Sequence, residues 1–298
     1  MPTNNRIFYA TQLINLNPCD TTGDNAKGGG TPTFYTPRGV QSLGITTNFN
    51  LTEVFSIGQL EVYDQPEDLP DVEVTMTKVF DGTPPLYYLC MDGNSSDDLT
   101  FDGVKNSGLT AVGNNRVNVH IGLYPDTADS AFGTPDNFIA MSGMYLSSFT
   151  YTLGVDDNFT EDVTLVGNHK VWSTAGGNFG NAANSDSVFK EDSNGYRSSV
   201  FTARRMYIQM DESVFPTGTA ATPRGGINAP NGEAPYFQHV TLSCDLGREE
   251  IRQLGRFDPY YRYITFPTEV TSEFEVVASE GDFLDADDFK GEDPCTSD

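Results

Sequence analysis

The sequence is short of basic residues. Lysine and arginine together number 17, against 42 aspartates and glutamates, which gives a formal net charge of -25. Proteins that hold DNA or RNA on a basic face gain affinity by releasing counterions from phosphates, and this requires clustered lysine and arginine. The composition therefore disfavours nucleic-acid binding by such a face. The acidic composition remains compatible with a polyanion that moves past the protein without binding to it.

Long apolar runs and paired cysteines are also missing. No stretch approaches the length of a membrane span, and the first ten residues are polar, unlike an export signal. Cys19, Cys90, Cys244 and Cys295 are far apart and form no C-x-x-C pair. This spacing predicts ordinary thiols in a reducing compartment, with neither a zinc site nor a disulfide framework. We expect a soluble protein that is made in a cytoplasm and has no membrane span.

Motifs that carry chemistry are absent as well. The sequence contains no G-x-S-x-G elbow, no G-x-x-x-x-G-K-[ST] loop and no G-x-G-x-x-G that opens a helix. His120, His169 and His239 lie on or beside separate predicted strands, without a second ligand at helix or strand spacing, which favours structural roles. We expect no enzymatic activity, no catalytic residue, no cofactor and no metal ligand.

One acidic turn, Asp92 to Asp98, offers oxygen ligands at alternate positions, as a calcium loop does. Its sixth position lacks the glycine of an EF-hand loop, and its twelfth is Gly103 instead of an acidic residue. A solvated turn is favoured, and cation binding at this turn is left open.

Turn-forming residues are plentiful and define the fold class. Glycine (29) and proline (17), together with Asn and Asp, separate runs rich in Val, Ile, Thr, Tyr and Phe. This pattern predicts a mainly β protein, a barrel or sandwich with long inserted loops. The predicted strands are Val40 to Thr47, Val54 to Tyr63, Val72 to Phe80, Leu86 to Met91, Val117 to Leu123, Tyr145 to Leu153, Asp162 to Val166, Val200 to Met210, Tyr236 to Cys244 and Tyr263 to Val277.

A single short flanking helix is predicted from Asp245 to Leu254. Asp245 can cap its first turn, Ile251 and Leu254 fall on one face, and Gly255 can end it.

The domain organisation follows from composition. Residues 1–36 are an N-terminal arm, 37–279 form the β domain with insertions near 173–199 and 215–235, and 280–298 form an acidic C-terminal tail.

Two predicted strands have one apolar and one polar side. Val72, Val74 and Met76 alternate with a polar set, and Val270, Phe274 and Val276 alternate with another. The polar sets are Glu73, Thr75 and Thr77 in the first strand, and Glu269, Thr271, Glu273 and Glu275 in the second. The pattern is typical of a half-exposed antiparallel sheet and equally of a channel wall, and it does not choose between them.

Several segments, taken in order, resemble phage major tail tube proteins. They are Pro37 to Thr47, Val72 to Lys78 followed by Asp81-Gly82, Glu161 to Gly167, Leu246 to Gly255, Tyr260 to Arg262 and Phe266 to Thr271. The resemblance covers roughly Pro37 to Val277, with gaps at the inserted loops.

The resemblance implies a virion protein of the tail, made in the host cytoplasm, whose copies form rings, commonly hexameric. The rings stack into a tube that conducts viral DNA during ejection without binding it specifically, in contact with other tail proteins. On this interpretation Glu73, Thr75, Thr77, Glu269, Thr271, Glu273 and Glu275 face the lumen. Like charge would then keep phosphate off the wall.

Two alternatives remain open. The first is another virion component, such as a head decoration, tail terminator or baseplate protein. The second is a secreted β-sandwich that binds calcium or carbohydrate, for which Tyr260, Tyr261 and Trp172 would supply exposed aromatic rings.

Overall fold

Short alternating runs become β-strands throughout most of the described chain. The computed structural model describes residues 12–19, 36–81, 85–91, 114–124, 135–174, 236–255 and 261–277. Within these ranges the protein is mainly β with one short helix, which confirms the predicted fold class. The elements are β1 (Gln12–Cys19), β2 (Val40–Asn48), β3 (Val54–Phe55), β4 (Val62–Asp64), β5 (Asp71–Val79), α1 (Leu86–Met91), β6 (Arg116–Leu123), β7 (Asn137–Gly154), β8 (Thr160–Gly167), β9 (Val171–Thr174), β10 (Tyr236–Asp245), β11 (Arg248–Ile251), β12 (Tyr261–Ile264) and β13 (Glu269–Val277).

Nine of these strands form one curled sheet with two limbs that share β7. The short limb has the order β1-β6-β7-β9, and the long limb has the order β2-β5-β8-β7-β10-β13. Every neighbouring pair in both limbs is antiparallel. β1 lies in the segment predicted as an N-terminal arm, and it pairs with β6 over its whole length.

β7 serves both limbs because it is 18 residues long and changes direction near its middle. Gly143 has a φ of 68°, a left-handed conformation that glycine adopts without steric cost. The Asn118 side-chain oxygen accepts a hydrogen bond from the Gly143 amide at 2.9 Å, so a paired backbone group fixes the bend. Residues up to Met144 pair with β6 or β9, and residues from Tyr145 onward pair with β8 or β10.

The hydrophobic core lies between the two limbs and is closed by α1. One side of the long limb contributes the alternate positions of β5 and β8, and the short limb contributes those of β6. Fully buried members include Val74, Leu165, Val119, Met141 and Leu146. Each large aliphatic side chain buried in this way contributes about 1.5–3 kcal/mol.

The predicted helix from Asp245 to Leu254 is wrong, because this segment forms a turn and β11. The Asp245 carboxylate accepts a hydrogen bond from the Gly247 amide at 2.9 Å, and Gly247 has a φ of 49°. The chain then pairs as β11 with β12, which lies outside the predicted segment. Arg262 of β12 forms an ion pair with Glu250, so a cross-strand contact outweighs the local helical pattern.

The one helix of the described residues lies where a strand was predicted, at Leu86–Met91. Leu86, Leu89 and Cys90 are buried, and this spacing of three and four residues is that of one helix face. The preceding Pro85 begins the first turn, because its carbonyl accepts a hydrogen bond from the Leu89 amide at 3.1 Å.

The predicted strand from Val54 to Tyr63 is also wrong in part, because a turn divides it into β3 and β4. Gly58 has a φ of 94° within that turn. The two strands belong to a segment between β2 and β5, residues 49–68, which we call the exposed hairpin. The strand predicted from Val200 to Met210, the loop insertions beyond Thr174, the Asp92 to Asp98 turn and the acidic tail lie outside the described residues.

Candidate functional surface

The seven residues predicted to face a lumen all lie on one side of the long limb. Thr77 of β5 neighbours Asp162 of β8, which neighbours Thr150 of β7. The row continues through Ser243 of β10 to Thr271 of β13. Ser42 of β2 completes it beyond Thr77, so six strands place a polar residue in one line.

A second row runs parallel to the first. It joins Thr75 to Thr164, Ser148, Asp245 and Glu269 in successive strands. A third row joins Thr160, Thr152 and Thr241 to Glu273, and His239 of β10 neighbours Glu275. We call this surface the polar face, and its members are Ser42, Gly44, Thr46, Glu73, Thr75, Thr77, Ser148, Thr150, Thr152, Thr160, Asp162, Thr164, His239, Thr241, Ser243, Asp245, Glu269, Thr271, Glu273 and Glu275.

The charge on the polar face has one sign. Its carboxylates are Glu73, Asp162, Asp245, Glu269, Glu273 and Glu275, and none of its members is lysine or arginine. Asp245 and Glu269 are direct cross-strand neighbours, although like charges in that position are destabilising. The Asp245 carboxylate also accepts the hydrogen bond from the Gly247 amide, so one local contact offsets part of this cost.

Hydrogen bonds within the polar face are local and leave its carboxylates exposed. Thr77 donates to the Asp162 carboxylate at 2.5 Å. The His239 Nε2 atom lies 2.9 Å from the Thr241 hydroxyl, which occupies the same face two residues further along β10. Threonine and serine hydroxyls therefore fill the surface between the carboxylates.

Sequence reasoning missed the contribution of β10 to this surface. Thr241, Ser243 and Asp245 alternate there with Val240, Leu242 and Cys244, and that signal is as clear as the one in β13. The helix predicted from Asp245 to Leu254 makes Asp245 a helix cap and so excludes it from this face.

The exposed hairpin projects from one end of the long limb, which we call the hairpin rim. Its exposed apolar residues are Phe49, Leu51, Val54, Phe55, Ile57, Leu60, Val62 and Tyr63. The β11–β12 hairpin lies at the same rim, where Arg252 is 3.6 Å from Asp68. Its residues Ile251 and Leu254 are exposed as well. Exposed apolar side chains in this number are typical of a surface that associates with another molecule.

A buried ionic cluster lies behind the polar face. Glu161 is fully buried, and its carboxylate accepts hydrogen bonds from the Leu86 and Tyr87 amides at 2.6 and 3.0 Å, and from the Tyr151 hydroxyl at 3.3 Å. Lys78 is its cross-strand neighbour and forms an ion pair with Asp81 at 3.6 Å. The cluster anchors the first turn of α1 to β8.

The ionisation of the residues around Glu161 follows from burial. Burial and the nearby Glu161 carboxylate raise the pKa of Tyr151, so its hydroxyl remains a proton donor. Burial, with a further contribution from Glu161, also raises the pKa of Cys90 and keeps it an inert thiol. Cys90 and Cys244 are both free and buried.

Replacing Glu161 with glutamine is expected to lower the free energy of unfolding by about 2 kcal/mol. The glutamine side chain has one oxygen in place of two, so it accepts the Leu86 and Tyr87 amide hydrogen bonds less well. It also removes a negative charge next to the buried Lys78. Urea unfolding measures the change. Asp162→Asn is the matched control, since its side chain lies next in sequence but on the exposed polar face, and we expect about 0.5 kcal/mol or less. Equal losses in both variants would contradict the structural role of Glu161.

Other kinds of site have little support among the described residues. No group of three or more His, Cys, Asp or Glu side chains in these ranges could hold a metal ion. No helix in the same ranges is long and apolar enough to cross a membrane. His169 lies between β8 and β9 and shares a hydrogen bond with Ser142 at 2.8 Å, whereas His120 lies on β6 and His239 on β10.

Comparison with known proteins gives structural likenesses alone. No protein-family model and no curated protein sequence matches the chain. A chain from the anti-feeding prophage tube-terminating cap is similar, at 12% identity over 58% of this chain and 95% of that one, with a TM-score of 0.37. A chain from the sheath/tube terminator of the extracellular contractile injection system PVC has 13% identity over 58% and 99%, with a TM-score of 0.37. A chain from the tail of an empty GTA particle has 14% identity over 57% and 98%, with a TM-score of 0.31.

Proposed function

We propose that the protein is a structural subunit of a phage tail tube. Several copies stand side by side with their polar faces turned inward, form rings, and stack into a channel that conducts viral DNA during ejection. The protein has no catalytic role on this proposal. Its partners are further copies of itself, other tail proteins and DNA in transit, and its location is the virion tail.

The continuous polar face is the observation that carries the proposal. A surface of carboxylates and hydroxyls with no lysine or arginine repels phosphate and offers it no ion pair. A wall that encloses DNA needs this property, because a few cationic contacts would retard a moving polyanion.

The exposed hairpin supports the stacking part of the proposal. Its apolar side chains would be a liability on a monomer, and burial against another copy would remove them from water. In a ring made by rotation, all the exposed hairpins lie at the same rim, where the next ring would meet them.

Negative-stain electron microscopy of the purified full chain tests the proposal. We expect stacked rings or tubes with a central hole, whose length increases with protein concentration. A protein that stays monomeric at the highest soluble concentration would refute it.

A further inference from the structure

A buried arginine lies at the base of the exposed hairpin. Arg262 of β12 is only 7% exposed, and its guanidinium forms an ion pair with its cross-strand neighbour Glu250 in β11. The same guanidinium donates a hydrogen bond to the Asn168 side-chain oxygen at 2.7 Å and lies 3.9 Å from the Asp71 carboxylate. Asn168 belongs to the turn between β8 and β9, and Asp71 is the first residue of β5. One side chain therefore connects the β11–β12 hairpin with that turn and with β5.

Asn168 links this arginine to both legs of the exposed hairpin. Its side-chain nitrogen donates to the Pro70 carbonyl at 3.0 Å and to the Asp71 carboxylate at 3.4 Å. The Asp71 carboxylate also accepts a hydrogen bond from the Asn50 side chain at 3.0 Å. Asn50 lies in the first leg of the exposed hairpin and donates to the carbonyl of Leu69, which directly follows the second leg. Both legs are thus tied to one set of hydrogen bonds at the base.

A second route leads from the same arginine through β11 to the exposed hairpin. The Glu250 carboxylate lies 3.1 Å from the Arg252 guanidinium, which is 3.6 Å from the Asp68 carboxylate. The side chains of Arg252 and Asp68 are both 57% exposed, so salt screens their ion pair and it contributes little on its own. The route through Asn168 is part-buried, and we expect it to dominate.

The exposed hairpin needs support from outside to keep one orientation. Its strands β3 and β4 contain two and three residues, and a two-stranded hairpin alone is marginally stable in water. Its tip residues Ile57 and Leu60 are fully exposed, so its direction relative to the sheet is set at its base. From these contacts we infer that Arg262 is a positioning residue, which holds the exposed hairpin in the orientation that the next ring meets. The inference specifies the stacking contact of the proposed function and rests on it.

Arginine suits this position for a geometric reason. The guanidinium is planar and presents its N–H donors in a fixed arrangement, so it contacts Glu250 and Asn168 at the same time. Lysine would keep the charge, but as a single ammonium group on a flexible chain. Because a hairpin that is already oriented loses less conformational entropy when it associates, loss of the arginine should weaken stacking.

Hydrogen exchange and tube assembly of the full chain test the inference. Arg262→Lys keeps the charge and removes the fixed geometry, and Asn168→Ala interrupts the part-buried route without changing the arginine. We expect the backbone amides of Thr52 and Asp68, which are hydrogen-bonded at the hairpin base, to exchange at least about tenfold faster in both variants. The amides of β6 in the core should keep their exchange rates. Tubes should form only at a protein concentration at least about tenfold higher.

The matched control is Arg252→Gln, which removes a neighbouring arginine but interrupts only the exposed route. Exchange at the same two amides should then change by less than about threefold. Unchanged exchange in Arg262→Lys and Asn168→Ala would overturn the inference, and so would equal acceleration of the β6 amides, which indicates a general loss of stability. Faster exchange with tubes at the usual concentration would also overturn it, while the proposed function stands. If the unmodified protein forms no tubes, the proposed function itself fails, and the inference fails with it.

Discussion

Tubes that carry lysine at positions 269, 273 and 275 are expected to retain DNA that the unmodified tubes release. The variant is Glu269→Lys, Glu273→Lys and Glu275→Lys, and it changes the charge of each copy's β13 from negative to positive. Every lysine that meets a phosphate releases counterions, so affinity becomes strongly dependent on salt. If at least six phosphates are neutralised, affinity should fall by about 10³-fold between about 50 and 200 mM salt.

Binding of a labelled short duplex to assembled tubes, followed by nuclease treatment, measures this effect. The matched control carries Glu53→Lys, Glu61→Lys and Glu67→Lys in the exposed hairpin, with the same change of charge. DNA held by the control lies outside the lumen and should be digested, whereas DNA held by the β13 variant should be protected. Nuclease-sensitive DNA in both variants would show that the β13 glutamates do not line an enclosed channel.

Ring stacking is expected to fail when the tip of the exposed hairpin becomes charged. Ile57→Asp with Leu60→Asp changes two apolar side chains that are fully exposed in the single copy. Folding of the subunit should therefore be unaffected, with a change in the free energy of unfolding within about 0.5 kcal/mol. If these side chains are buried between rings, the free energy of ring association should weaken by about 1.5–3 kcal/mol for each side chain. The ring symmetry repeats this loss in every copy.

Electron microscopy and sedimentation distinguish the outcomes of this change. The expected product is single rings in place of tubes. Val171→Asp is the control, because Val171 is an exposed residue of β9 in the short limb and is not part of the exposed hairpin. Tubes of normal length from the Ile57 and Leu60 variant would remove the exposed hairpin from the stacking contact.

Local alternation was sufficient to predict most strands of the long limb. β2, β5 and β8 have boundaries close to the predicted ones, because each carries an apolar side that faces the core. The failures occurred where distant contacts outweigh local pattern. α1 depends on the Glu161 carboxylate, which reaches its first-turn amides from 75 residues away in sequence. β11 depends likewise on pairing with β12 and on Arg262.

The polar face could be predicted only in parts. Alternation within β5 and β13 identified seven of its residues as sharing a chemical character. That β5 and β13 belong to the same sheet side follows from the chain of registers through β8, β7 and β10, which no single segment encodes. The exposed hairpin was missed for a different reason, since its apolar residues resemble those of a buried strand while lying in solvent.

A cryo-electron microscopy reconstruction of assembled tubes tests the central claim most directly, because it locates the carboxylates of β13 relative to the tube axis. We predict that Glu269, Glu273 and Glu275 of every copy point into a shared central channel, together with Glu73 and Asp162. The same residues pointing to bulk solvent on the outer surface of the particle would contradict the account.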